Sequence, residues 1–269
     1  MKKAVCIGIN NYPGSNMDLA GCVNDAKDWA KELKFRGFAV ATLLDSKATG
    51  NAMRKVFTSL ATETAPGDTI VIQYSGHGTY VPDLNGDEPD GRDEALVPYD
   101  IMTNGPVIDD EIYSIFRKKK TGSKIIFISD SCHSGTVMRA FGGFDTIMGT
   151  RKFMPPGKFL KRRDAKLVEA EPDKYAAENI SEADFGFRDV SGTLLLFAGC
   201  QDVQYSMDAN FNSRPNGAFT YFALKALREM TPVATYSQWF KQIKKYLPSA
   251  EYDQTPNLYG AGMRSIIFS

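Results

Sequence analysis

Lys124-Ile125-Ile126-Phe127-Ile128 runs directly into Ser129-Asp130-Ser131-Cys132-His133-Ser134-Gly135. An apolar run of this kind reads as a strand buried on both faces, which is the signature of a parallel sheet covered by helices. The polar turn after it carries a thiol. A second stretch is built the same way: Thr69-Ile70-Val71-Ile72 leads to Tyr74-Ser75-Gly76-His77-Gly78, so its turn carries an imidazole. In open α/β sheets, sites form beyond the carboxyl ends of strands. Cys132 and His77 both follow strand ends and can meet at one edge, in the layout of a cysteine–histidine dyad. Gly76, Gly78 and Gly135 leave room for a substrate backbone to approach. His133 also neighbours the thiol, but adjacent residues of an extended chain point to opposite sides, which favours His77 as the base.

Strand and helix patterns alternate outward from these runs. Residues 3–9 read as a strand. Residues 18–35 read as a helix, with Leu19, Cys22, Val23, Ala26, Trp29, Ala30 and Leu33 on one buried face. Phe38–Leu44 and Thr69–Tyr74 read as strands, and Ala52–Thr62 as a helix between them. Asp109-Asp110-Glu111 opens a helix through Arg117, its acids at the positive end. Thr193–Ala198 reads as a further strand, Gly217–Met230 and Ser237–Leu247 as helices, and Ser265–Phe268 as a closing strand. Thr235 and Gln238 fit a capping box. Residues 79–106 read as a long loop with at most one hairpin. The pattern weakens from Arg139 to Gly192, as in a functional or flexible segment. The expected organisation is one domain: a large part over 1–138, a flexible linker over 139–192 and a small part over 193–269.

Composition narrows the function classes. The 269 residues hold 32 Lys+Arg against 32 Asp+Glu, so the balanced charge gives no case for nucleic acid or an anionic membrane as partner. No stretch approaches the roughly 20 apolar residues of a membrane span, and Met1–Asn10 is too short in its apolar part for a signal peptide. Cys6, Cys22, Cys132 and Cys200 show no Cys-x-x-Cys spacing, so they read as reduced thiols of a cytoplasmic protein, with no structural zinc.

The two turns resemble the catalytic motifs of the metacaspases, within the caspase-like cysteine peptidases. Their spacing of 55 residues is near the roughly 50 typical of caspases. Further segments agree: Ile7-Gly8-Ile9-Asn10 with Leu19–Ala26, the acidic stretch Asp87–Tyr99, and Phe197–Asp202 with Gly217–Tyr221. With no prodomain before the first strand, the chain is similar to the short prokaryotic forms, the orthocaspases. The resemblance implies a caspase-like three-layer α/β sandwich with a mostly parallel central sheet. It also implies a monomeric cysteine endopeptidase acting on protein and peptide substrates with Arg or Lys at P1, the residue before the cut. The acidic pocket for that residue (S1) would comprise Cys22, Asp25, Ser75 and Asp130, and the backbone N–H groups of Gly78 and Cys132 would hold the oxyanion. A cation leaving water needs a carboxylate partner, and the same carboxylate rejects an acidic P1. Taken singly, Asp25 reads equally as an acid near a helix start and Asp130 as a turn residue. A catalytically silent caspase-like binding module, or a cysteine peptidase with another P1 preference, are the alternatives.

Two charged segments remain. Asp83, Asp87, Glu88, Asp90, Asp93, Glu94 and Asp100 crowd together, as suits a hard cation, but Glu88 stands where an EF-hand loop requires glycine. By resemblance to calcium-dependent metacaspases, Asp93, Asp109 and Asp110 would hold calcium as an activator, while the chemistry itself needs no cofactor. The fourth acid of that site is replaced by Arg139, whose charge either repels the ion or substitutes for it. Lys158–Arg163 is a basic run inside the linker, which points to self-processing near Lys161, Arg162 and Arg163.

Overall fold

Five apolar runs fold as parallel strands; four of them alternate their side chains between two buried faces, and the fifth, at the sheet edge, is half to fully exposed. In the computed structural model, which describes residues 1–83, 91–132, 145–146, 149–160, 193–201 and 204–269, these are β1 (Lys2–Gly8), β2 (Ala39–Leu44), β3 (Thr69–Ser75), β7 (Lys124–Asp130) and β10 (Thr193–Ala198). With β13 (Asn257–Gly260) they form a six-stranded sheet in the order β13-β10-β7-β3-β1-β2. Only β13 runs antiparallel, against β10.

Helices cover both faces. Cys6, Val71, Ile126, Ile128, Leu195 and Phe197 pack toward α1 (Cys22–Phe35), α5 (Ala218–Arg228) and α6 (Tyr236–Ile243). The intervening residues Val5, Ile7, Ile70, Ile72, Ile125 and Phe127 pack toward α2 (Gly50–Thr62) and α4 (Asp109–Phe116). Period-two alternation therefore separates two apolar layers, which gives the expected three-layer α/β sandwich. The Thr235–Gln238 capping box forms in both directions at the start of α6. Thr49 caps α2 by accepting from the Ala52 N–H, and α3 (Ile101–Asn104) is a single turn.

The hairpin expected within 79–106 forms, as β4 (Gly78–Pro82) with β5 (Arg92–Leu96), and β6 (Val107–Ile108) joins them in a small antiparallel sheet. Two expectations change. The closing strand is Asn257–Gly260 rather than Ser265–Phe268. The latter makes one isolated bridge, Thr235 with Ile266, and is apolar because Ile267 and Phe268 plug the core. Finally, residues 149–160 of the expected linker are built into the protein. There β9 (Gly149–Arg151) joins β8 (Asp145–Thr146), β11 (Met207–Phe211) and β12 (Arg214–Gly217) in a third sheet, and Arg151, Lys152, Phe153 and Met154 are all buried.

Candidate active site

Ser75 ends β3 and pairs in register with Asp130 at the end of the adjacent β7. The turns carrying His77 and Cys132 therefore start side by side on one edge, as the sequence predicts. His77 is completely buried. Its backbone N–H donates to the Tyr12 hydroxyl at 2.8 Å, and the Tyr74 hydroxyl donates to its carbonyl at 2.6 Å. The Tyr12 ring lies 4.8 Å from the imidazole. Nε2 stands 2.6 Å from the Met17 carbonyl oxygen. A carbonyl only accepts, so Nε2 carries the proton and Nδ1 keeps its lone pair. Nδ1 is buried and makes no hydrogen bond. Burial pushes the imidazole down to about 4, against the opposing pull of the Met17 carbonyl. It is therefore a neutral base at neutral pH.

Cys132 is equally buried. Its sulfur accepts the Ser206 N–H at 2.5 Å and lies 3.4 Å from the Ser206 carbonyl. Its own backbone N–H and that of Gly78 converge on one oxygen, the carbonyl of Lys152, at 3.1 and 3.0 Å. These are the two N–H groups expected to hold an oxyanion. Two convergent donors polarise that carbonyl and stabilise charge on its oxygen.

The side chain of the same lysine enters an acidic hole. Lys152 Nζ lies 3.1 Å from Asp25 Oδ2, 3.1 Å from Asp130 Oδ1 and 2.9 Å from Ser75 Oγ, so three acceptors meet its three protons. Lys152 and Asp25 are 0% exposed at the side chain and Asp130 is 1%. The acids are held from behind. Asp25 accepts from Ser75 Oγ, Asn216 Nδ2 and the Gly217 N–H, and Asp130 from Ser206 Oγ and the Thr220 N–H and hydroxyl. Burial opposes the lysine charge, but Asp130, Cys22, Asp25 and Asp208 outweigh it and hold Lys152 well above the ordinary lysine value. Burial raises Asp25 to about 6, Lys152 pulling it down and Asp130 pushing it up. Cys22, also buried, feels the same lysine. All four residues expected around the hole thus gather there.

The floor of the hole is Gly217. A methyl group on it would overlap Lys152 Nζ and the Asp130 and Asp25 carboxylates. Its φ of −66° is ordinary, so space, not backbone freedom, demands glycine here. Asp208 stands behind the hole and clamps the start of α1, accepting from the Ala20 N–H at 2.6 Å and the Gly21 N–H at 2.9 Å. The sequence reading gives no role to Tyr12, Met17, Lys152, Ser206 or Asp208. Gly217 and Thr220 lie in a segment that carries the resemblance, and their positions were legible to that extent.

The other candidates stand apart from this cluster. Asp93 is buried in β5, and Asp109 and Asp110 begin α4. Among the described residues no three acidic, histidine or cysteine side chains come together to hold a metal ion. Arg139, Lys161, Arg162 and Arg163 lie outside the described residues. Among the described residues no helix is long and apolar enough to cross a membrane.

Comparison with known proteins gives a consistent set of likenesses. The family pattern described as Caspase domain matches residues 1–266. Metacaspase-1 of Cryptococcus neoformans is 31% identical over 96% of this chain, which spans 62% of that protein's length. Metacaspase-1 of Mycosarcoma maydis is 30% identical over 96% of the chain, which spans 69% of it. The crystal structure of protein GSU0716 from Geobacter sulfurreducens is 31% identical, with a TM-score of 0.75, and covers 100% of this chain and 99% of its own.

Proposed function

The chain belongs to the caspase-domain family of cysteine peptidases, beside the metacaspases, and within that family we propose that it is an endopeptidase cutting after Lys or Arg and processing its own 139–192 stretch. One observation carries this reading. Lys152 puts its ammonium among Ser75, Asp25 and Asp130 while its carbonyl takes the N–H groups of Gly78 and Cys132. A basic residue thus fits the hole at the moment its peptide bond faces the thiol-bearing turn. An acidic side chain in the same place would meet two carboxylates and lose its hydration for nothing.

The chemistry follows from the same atoms. Cys132 attacks the carbonyl carbon of the residue seated in the hole, and its proton passes to His77 Nδ1, the nitrogen left basic by the Met17 carbonyl. The two N–H groups stabilise the oxyanion. His77 then protonates the departing amine, and water releases the acyl group from sulfur. Cys132→Ala is expected to abolish turnover of fluorogenic peptides ending in Lys or Arg, a loss of 1,000-fold or more of the order reported for removed nucleophiles. A positional peptide library is expected to show Lys and Arg at P1. Retained turnover in the variant, or a library led by Asp or Asn, would refute the assignment.

A further inference from the structure

The residues on both sides of Lys152 are seated as well as Lys152 itself. On the amino side, β9 pairs antiparallel with β11, Thr150 opposite Asp208 and Arg151 opposite Met207. The Arg151 guanidinium lies 4.4 Å from the Tyr205 ring. The Lys152 N–H donates to the Ser206 carbonyl at 3.0 Å, and the Ser206 N–H reaches the Cys132 sulfur. On the carboxyl side, Phe153 stacks on Tyr80 with centroids 5.9 Å apart and planes 21° apart. The Met154 N–H donates to the Gly78 carbonyl at 2.9 Å, and the Thr79 hydroxyl donates to the Met154 carbonyl at 2.7 Å. Thr150 and Arg151 are extended in β9, the chain bends at Lys152, and Phe153 bridges in parallel to Gly78, so the segment is held by backbone pairing on both sides of the Lys152 carbonyl. This is how a peptide adds to a sheet edge, with alternate side chains entering pockets.

A structural lysine neutralising buried acids needs none of this backbone arrangement. It requires only that Nζ reach Asp25 and Asp130. Here the carbonyl of the same residue is also gripped by the two donors beside the thiol, and the next peptide unit is held in place by Gly78. We propose that Lys152–Phe153 is a bond this chain cuts in itself, intramolecularly, with residues 150–154 bound as the substrate. The inference rests on the peptidase reading above and gives it a particular bond. In the step, the Cys132 sulfur bonds to the Lys152 carbonyl carbon and its proton goes to His77. The proton moves on to the Phe153 nitrogen as the C–N bond breaks, leaving Lys152 as a thioester and Phe153 as a free amino terminus. Water then splits the thioester to a Lys152 carboxylate and the thiol. No oxidant, metal or other co-reactant enters.

Intact-mass analysis and amino-terminal sequencing of the full chain test this. The wild-type chain is expected to yield one piece ending at Lys152 and one beginning at Phe153. Cys132→Ala, tagged and mixed with an excess of the wild-type chain, is expected to stay whole at this bond, because the bond is buried in its own cleft and out of reach of a second molecule. Lys152→Gln should block the cut. Lys152→Arg keeps the charge and the fold and should be cut after residue 152 within about tenfold of the wild-type rate. Cutting of the tagged Cys132→Ala chain at 152–153, or an uncut Lys152→Arg chain, overturns the proposal. A wild-type chain that hydrolyses a free Lys peptide but keeps 152–153 intact sinks this inference alone. A chain that does neither sinks the peptidase reading with it.

Discussion

Asp130–Cys132 and Arg151–Phe153 meet at Lys152 but are held in different ways. Asp130 ends β7, which has β3 on one side and β10 on the other, so its position is fixed by parallel ladders across the middle of the sheet. Arg151 ends a three-residue strand paired with β11 and the two-residue β8. Beyond it, the chain is held by an ammonium in a hole, a carbonyl between two N–H groups and a ring on a ring. These are the contacts that a separate peptide could make in its place. On the proposed reading the first region is apparatus and the second is its ligand. Changes to the apparatus should therefore affect every substrate, and changes to the seat of one side chain should affect only that side chain.

Gly217→Ala tests the apparatus with one methyl group. Gly217 is the last residue of β12 and caps α5 with an extended backbone that alanine also adopts, so the loss of turnover comes from filling the hole. Overpacking of this kind costs about 1–3 kcal/mol, which corresponds to roughly 5- to 150-fold in kcat/KM at about 1.4 kcal/mol per tenfold. The loss is expected for both Lys and Arg peptides and mainly in KM, since the sulfur, the imidazole and the two N–H donors are untouched. A fall in kcat at unchanged KM would mean that the hole and the reacting atoms are not separable in the way proposed.

Acid separates the same two parts. Asp25 titrates at about 6 and His77 at about 4, and a substrate ammonium in the hole would give Asp25 the surroundings that Lys152 gives it. As pH falls from 7 to 5, Asp25 takes a proton first and the hole loses charge, while the imidazole stays neutral. KM for a Lys peptide is expected to rise about tenfold over that range, following a single titration, with kcat nearly level. Stability should move little. His77 sits below its unfolded value, so its contribution fades as pH falls through the range from about 6.5 toward 4. Asp25 sits above its unfolded value, so over the range from about 6 toward 4 it acts in the opposite direction. Steady-state kinetics and melting curves from pH 4.5 to 8 check both points. A kcat that drops first would place the sensitive group at the reacting centre instead.

The same division explains what the sequence discloses. The apparatus is legible because strands inside a sheet must be apolar on both faces, and the polar residues that interrupt such runs, Ser75, His77, Asp130 and Cys132, stand out against them. The orienting partner of His77 is not legible, because it is a backbone carbonyl, and every residue has one. Lys152 is not legible either. It follows a strand of only three residues, too short to show a periodicity, and by type alone it cannot be told from Lys158 or Arg163. The closing strand fails for a related reason. Periodicity reports burial and not pairing, so buried Ile267 and Phe268 look like a strand, although Phe268 has a φ of +55° that no strand adopts. The true edge strand, Asn257–Gly260, is half exposed and looks like a loop.

The finest test concerns the side of the bond that leaves. Tyr80 belongs to β4, in the apparatus, and its ring is the surface on which Phe153 stacks. Phe153 also faces Tyr205, 6.3 Å away, so an aromatic residue after the cut finds two rings and an aliphatic one finds less. Aromatic pairs of this geometry are worth about 0.5–1.5 kcal/mol beyond simple burial, or roughly 2- to 12-fold in rate. The wild-type enzyme is therefore expected to favour a Lys-Phe peptide over a matched Lys-Ala peptide by that factor. Tyr80→Leu keeps the bulk and the strand but removes the ring face. It should bring the ratio of the two rates close to one by slowing the Lys-Phe peptide, with the Lys-Ala peptide turned over as before. Equal slowing of both peptides would show that Tyr80 supports the turn carrying His77 and does not form a seat for the departing residue. The line between apparatus and ligand would then have to be drawn on the other side of β4.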